Sequence, residues 1–182
     1  MYITKNNQNI EVVIKKATIT KLPYHTVGVP TGLAFESGKQ GYTPPSLRAL
    51  ESKLNDPIDF ERTATEGVLW LNSALTVTAG NPNTHQKIWQ PFTDAVIKEL
   101  LSGTKGVVWI LLGSHAVNKV VQYESLVKSN NHYLICSSHP SPYSAHKPLK
   151  QYPPFNDINH FDLANDILTP LGKSIQWTKQ VP

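Results

Sequence analysis

An α/β fold is what this sequence predicts: a single domain over residues 1–182, with a central four-stranded, mostly parallel sheet flanked by helices. Three observations lead to it. Four short runs rich in β-branched and apolar residues recur along the chain: EVVIKKATIT at 11–20, GVLWL at 67–71, GVVWILL at 106–112 and HYLIC at 132–136. Segments with helical spacing separate them. The later runs are almost continuously apolar, so both faces of the sheet must be covered, as helices do in parallel sheets.

Taken in order, the first strand ends at Thr20 and a loop over 20–45 follows. SLRALESKL at 46–54 has helical spacing, with Pro45 before it and Asn55-Asp56-Pro57 to end it. The strand at 67–71 is followed by a polar, loop-like stretch over 73–88. An amphipathic helix is expected over 89–101, with Phe92, Val96, Ile97 and Leu100 on one face. The third strand precedes a helix from 114 to about 127, and the fourth strand opens a Pro/Ser-rich loop over 137–159. A short helix at 161–168 and the segment 175–177 close the chain.

In an open parallel sheet, ligands sit beyond the carboxyl ends of the strands. Each strand here runs into a polar segment: KLPYH after the first, Asn72 after the second, Gly113-Ser114-His115 after the third, SSHPSPYS after the fourth. One composite site on one sheet edge is therefore expected.

Bulk properties narrow the chemistry. The net charge of +4 leans toward anionic partners such as nucleic acid, though no Lys/Arg block sharpens it. The longest apolar run is six residues, 107–112, too short to span a bilayer, and the N-terminal residues lack the apolar core of a signal peptide. A single cysteine, Cys136, excludes an internal disulfide framework and a multi-cysteine zinc site, and suits a reducing cytoplasm. Seven histidines show no HExxH spacing, and there is no Walker loop, GxSxG elbow or Rossmann glycine fingerprint. No metal and no cofactor are expected.

The segments GVLWLNSALTV, WQPFTDAVI, LLGSHA and HPSPYSAHK resemble, in order and spacing, the family 1 uracil-DNA glycosylases. The similarity runs from about Lys21 to Trp177. It implies a four-stranded parallel sheet between helices, a monomer, and base flipping followed by hydrolysis of the N-glycosidic bond. The family's helical N-terminal segment has only about twenty residues to match it here, so the member looks shortened. Its first motif, Gly-Gln-Asp-Pro-Tyr-His, falls on Thr20-Lys21-Leu22-Pro23-Tyr24-His25. The water-activating aspartate is thus replaced by Leu22, and the segment holds no carboxylate until Glu36.

The resemblance implies a role for each matching residue. Lys21, Leu22, Tyr24, Phe35, Asn72 and His139 would form the uracil pocket. Phe35 would stack on the ring, and Tyr24 would exclude the methyl group of thymine. The Asn72 amide would accept from uracil N3–H and donate to O4, a pattern that cytosine reverses. His139 would donate to O2 as charge builds on the departing base. His25 is the expected substitute for holding the water. Pro44, Pro45, Ser46, Gly113, Ser114, Ser141, Pro142 and Ser144 would meet the DNA backbone. Tyr143 stands where the family has a wedging leucine, and Lys147 where it has an arginine. Single- and double-stranded uracil-containing DNA are the expected substrates, and a DNA-mimicking inhibitor protein is a possible partner.

Three readings of the missing aspartate remain open. The chain is a monofunctional glycosylase in which the groups that stabilise the leaving base supply most of the catalysis. Alternatively, it binds uracil-containing or abasic DNA without cutting, as a sensor or accessory subunit. A scaffold of a repair complex is the third reading, but a scaffold has no need of Tyr24, Phe35, Asn72 and His139 together.

Overall fold

The computed structural model describes residues 16–20 and 23–179. In chain order it contains β1 (Lys16–Thr20), α1 (Pro45–Glu51), α2 (Phe60–Thr65), β2 (Val68–Asn72), α3 (Gln86–Gly103), β3 (Val108–Leu112), α4 (Ser114–Val121), α5 (Glu124–Ser129), β4 (Tyr133–Ser137) and α6 (His160–Leu168), with 3₁₀ turns at Phe155–Asp157 and Thr169–Leu171. The four strands form one sheet in the order β2-β1-β3-β4, and every pairing is parallel.

Alternation along β3 divides the core. Val108, Ile110 and Leu112 pack with Trp70, Phe161, Ala164 and Leu168 on one face, together with Leu47 and Leu50 of α1. Trp109 and Leu111 point the other way and pack with Ile97 and Leu101 of α3 and Val117 and Val120 of α4. Both faces are covered, which is why the strands are apolar throughout. Each fully buried residue of this size contributes about 1.5–3 kcal/mol through burial. Cys136 sits in this core, where burial pushes its thiol up to about 11, so it is an inert packing residue.

Several expectations shift. The 11–15 part of the first expected strand lies outside the described residues, and so do Lys21 and Leu22. The short helix α2 was not anticipated; Asp59 caps it by accepting from the Arg62 amide at 3.0 Å. The expected helix over 114–127 is two helices, interrupted at 122–123. Helix α3 begins three residues early and carries Pro91 inside it, which removes one intrahelical hydrogen bond near the N-terminal end. Its buried face is Thr93, Ile97 and Leu101; Phe92 is partly exposed and packs edge-on against Trp89.

Beside the contact of Gln86 with His115, a buried ion pair joins α3 to α4. Lys119 is buried, forms a short ion pair with Asp94, and reaches Thr93 Oγ1 at 3.4 Å. Asp94→Ala leaves the Lys119 ammonium buried without its counter-charge. The expected loss is about 2–4 kcal/mol of unfolding free energy, measured by urea denaturation. Lys119→Met, which removes the charge as well, is expected to lose markedly less.

Candidate active site

Strand order alone locates a crevice. The chain leaves β1 for β2 on one side and returns to β3 on the other. Connections therefore diverge at the carboxyl end of β1, and a ligand fits between them.

The loop after β1 is built by short-range ties. The Gly38 amide donates to the Val29 carbonyl at 2.9 Å, and the Ala34 amide to the Trp70 carbonyl at 3.3 Å, which fastens the loop to β2. The Tyr24 hydroxyl donates to the Phe35 carbonyl at 3.0 Å. Burial, with Tyr42 and Glu51 nearby, holds that phenol well above its ordinary pKa, so it stays a donor. Phe35 has φ 71, a left-handed conformation that a side chain adopts at a cost of about 1–2 kcal/mol. The two hydrogen bonds flanking it hold the strained residue in place, and strain of this kind clusters at functional sites.

A cavity of about 260 Å³ opens here, lined by Pro23, Tyr24, His25, Pro30, Leu33, Phe35, Glu36, Ser46, Pro82 and His139. The sheet edge thus brings together Tyr24, His25, Phe35 and His139, as the sequence suggested. Phe35 and His139 lie 6.0 Å apart, ring centre to ring centre, at 38°. His25 is exposed at the rim, and its carbonyl accepts from the Gly80 amide at 2.9 Å. Ser46, expected on the DNA backbone, lines this cavity at the start of α1, where Pro44 is buried and Pro45 exposed. Pro30, Leu33, Glu36 and Pro82 are additions that the motifs did not single out. Glu36 had a signal, since it follows the stacking aromatic directly; Pro82 had none.

Asn72 is the last residue of β2, in register with Thr20 at the end of β1, and is almost fully buried. It does not line the open cavity. Its side-chain Oδ1 is buried without a hydrogen-bond partner among the described residues. An orphaned buried acceptor costs about 1–3 kcal/mol, which a ligand N–H recovers.

His139 has a defined tautomer. The Ser141 amide donates to its Nδ1 at 3.1 Å. A backbone N–H can only donate, so Nδ1 is bare and the neutral ring carries its proton on Nε2. Gly113 makes room for this ring: at φ 92, a Cβ there would stand 3.1 Å from the His139 Cβ. The Gly113 amide in turn donates to the Ser137 carbonyl at 3.0 Å, joining the ends of β3 and β4.

His139 also borders a second cavity of about 270 Å³, lined with it by Gly113, Ser114, Tyr143, Ser144 and Lys147 among others. Ser114 opens α4, and the Ser141 hydroxyl donates to Ser144 Oγ at 3.3 Å. Tyr143 is 86% exposed and projects beside exposed Pro142. Of the residues expected to meet DNA, Gly113, Ser114, Tyr143, Ser144 and Lys147 line this second cavity and Ser46 the first, while Pro44, Pro45, Ser141 and Pro142 line neither; His139 borders both. Among the described residues, no group of three or more His, Cys, Asp or Glu could hold a metal ion, and no helix is long and apolar enough to cross a membrane.

Comparison with known proteins agrees with this fold. The family model described as "Uracil DNA glycosylase superfamily" matches residues 15–161. A protein of Fusobacterium nucleatum named uracil-DNA glycosylase is 39% identical over 174 residues, covering 90% of this chain and 73% of its own length. One of the same name from Idiomarina loihiensis is 37% identical over 181 residues, covering 93% of this chain and 77% of its own. Among solved structures, mimivirus uracil-DNA glycosylase superposes with a TM-score of 0.73 at 26% identity, over 91% of this chain and 68% of that one. A variant of the mimivirus protein in complex with UGI gives a TM-score of 0.77 at 26% identity, with 91% and 69% covered. With a four-stranded parallel sheet, a composite site at its carboxyl edge and a family match over most of its length, this chain belongs to the uracil DNA glycosylase superfamily.

Proposed function

We propose that this chain flips uracil out of DNA and hydrolyses its N-glycosidic bond, releasing free uracil and leaving an abasic site. The observation that carries the reading is the orphaned Asn72 Oδ1, a buried acceptor at the end of β2 that lacks the N–H a uracil N3 would supply. The small cavity supports it: about 260 Å³ lies below the ~300–1,000 Å³ typical of drug-sized ligands and suits one base. The names of its relatives agree.

The place of Tyr24, Phe35 and His139 on one cavity supports their roles, and the remaining roles follow from the resemblance. Phe35 stacks on the flipped ring, and Tyr24, anchored through its hydroxyl, closes the side where thymine carries a methyl. Asn72 reads the N3–O4 edge. His139 donates from Nε2 to O2, stabilising negative charge as the C1′–N1 bond breaks. A neutral imidazole suits this task because it offers a donor without competing for the proton. His25 orients the water at the rim. Ser46, Ser114, Ser141, Ser144 and Lys147 hold phosphates, Pro44, Pro45, Gly113 and Pro142 shape the loops that present them to the DNA backbone, and Tyr143 fills the gap in the duplex. The chain acts as one domain and a monomer, on single- and double-stranded DNA. A DNA-mimicking inhibitor would occupy the same face around Tyr143; a mimivirus relative is itself seen with UGI.

Leucine at position 22 favours a second reading, a uracil-DNA binder that does not cut. Leu22→Asp separates the two. For a glycosylase with its water activation relocated, the wild type cuts and Leu22→Asp gains less than about tenfold, well short of the ~10²–10⁴-fold a general base is worth. For a binder, the wild type is inert and Leu22→Asp restores cutting.

A further inference from the structure

Glu36 supplies the only carboxylate among the residues lining the cavity shared by Tyr24, His25, Phe35 and His139. It is half-buried, and its carboxylate has no ion pair or hydrogen bond among the described residues. Its backbone is held in place. The carbonyl of the Phe35–Glu36 peptide accepts from Tyr24, and the left-handed φ 71 of Phe35 sets the direction in which the chain leaves the ring. Half-buried carboxylates elsewhere have evident structural uses: Glu66 pairs with Arg62 and accepts from the Gln176 amide, and Glu51 accepts from the Ile58 amide. Glu36 has no such use.

We propose that Glu36 is the general base of the reaction, taking over from the carboxylate absent at position 22. The assignment rests on the glycosylase reading. As the C1′–N1 bond breaks, its electron pair leaves with uracil, whose O2 is held by His139. The water oxygen bonds to C1′ on the opposite side of the sugar, and one water proton passes to the Glu36 carboxylate. The uracil anion later takes a proton from solvent, and Glu36 returns its own to solvent. Glutamate is one methylene longer than aspartate, which extends its reach from a loop position beyond the first motif. His25, on the same cavity, gives the water its second hydrogen bond.

The test is single-turnover release of uracil from a single-stranded oligonucleotide, from about pH 4 to about pH 9, with wild type, Glu36→Gln, Glu36→Asp and His25→Ala. Glu36→Gln is expected to slow release by about 10²-fold, to bind the oligonucleotide as well as wild type, and to lose the limb of the pH profile that belongs to a carboxylate. Glu36→Asp retains that limb and part of the rate. His25 and His139 also face the cavity, so the profile must separate them from Glu36. The assignment is overturned if Glu36→Gln stays within about threefold of wild type with an unchanged profile, or if only His25→Ala removes the limb. A wild type that releases no uracil refutes the glycosylase reading, and this assignment with it.

Discussion

Asn72→Ala lowers single-turnover release of uracil by about 10²–10³-fold, the loss seen when one preplaced group at a developing charge is removed. The side chain is almost fully buried at the end of β2, and its Oδ1 has no hydrogen-bond partner among the described residues. Such a group is held at a cost of about 1–3 kcal/mol, a cost that makes sense for an amide kept for a ligand. On the proposed reading, uracil N3–H completes it and the amide nitrogen donates to O4, where charge accumulates as the base departs. Cytosine presents a bare N3 and a donor at C4, so the same amide meets the wrong partner at both positions. Because the change removes a small polar group at a strand terminus, the fold is expected to survive. Circular dichroism checks that, and single-turnover assays give the rate.

His139→Ala is expected to cost a comparable 10²–10³-fold, roughly, with little change in affinity for uracil-free DNA. Its force comes from the Ser141 amide, which fixes Nδ1 as acceptor and leaves Nε2–H as donor. The contribution is electrostatic and positional, so small displacements matter. Gly113→Ala tests that separately. Its Cβ would meet the His139 Cβ at 3.1 Å, and φ 92 is strained for any side chain, so the ring must move. A rate loss of at least about tenfold is expected without any loss of a chemical group. Equal rates for Gly113→Ala and wild type would mean that the ring position does not matter.

The apolar strands were legible because helices cover both faces of the sheet, which leaves the pattern without polar interruptions. The site was legible for a related reason. Parallel strands place their trailing loops on one edge, so Pro23-Tyr24-His25, Asn72, Gly113-Ser114 and HPSPYS follow the strands on that edge whatever the details of the helices. Helix limits were less so. Tyr123 and Gln122 interrupt α4 and α5 without a proline or glycine to mark the break. Phe92 sits at the right helical spacing for burial but finds Trp89 instead of the core, and tertiary packing alone decides that. Glu36 was visible only as a residue next to Phe35. Its place on the cavity depends on the left-handed turn at Phe35 and the Tyr24 clamp, neither of which has a spacing signature. Residues 21–22, where the first motif departs from the family pattern, lie outside the described residues, so position 22 is known from the sequence alone.

The most direct test is whether free uracil leaves the DNA at all. A labelled single-stranded oligonucleotide with one uracil is incubated with excess wild-type protein at low salt, where phosphate contacts are strongest. Products are separated as free base and abasic strand, with Asn72→Ala as the blank. Release of uracil by wild type, suppressed in Asn72→Ala, is the predicted result. Tight binding of the intact oligonucleotide by both proteins, with no uracil released by either, would contradict the assignment of this chain as a glycosylase.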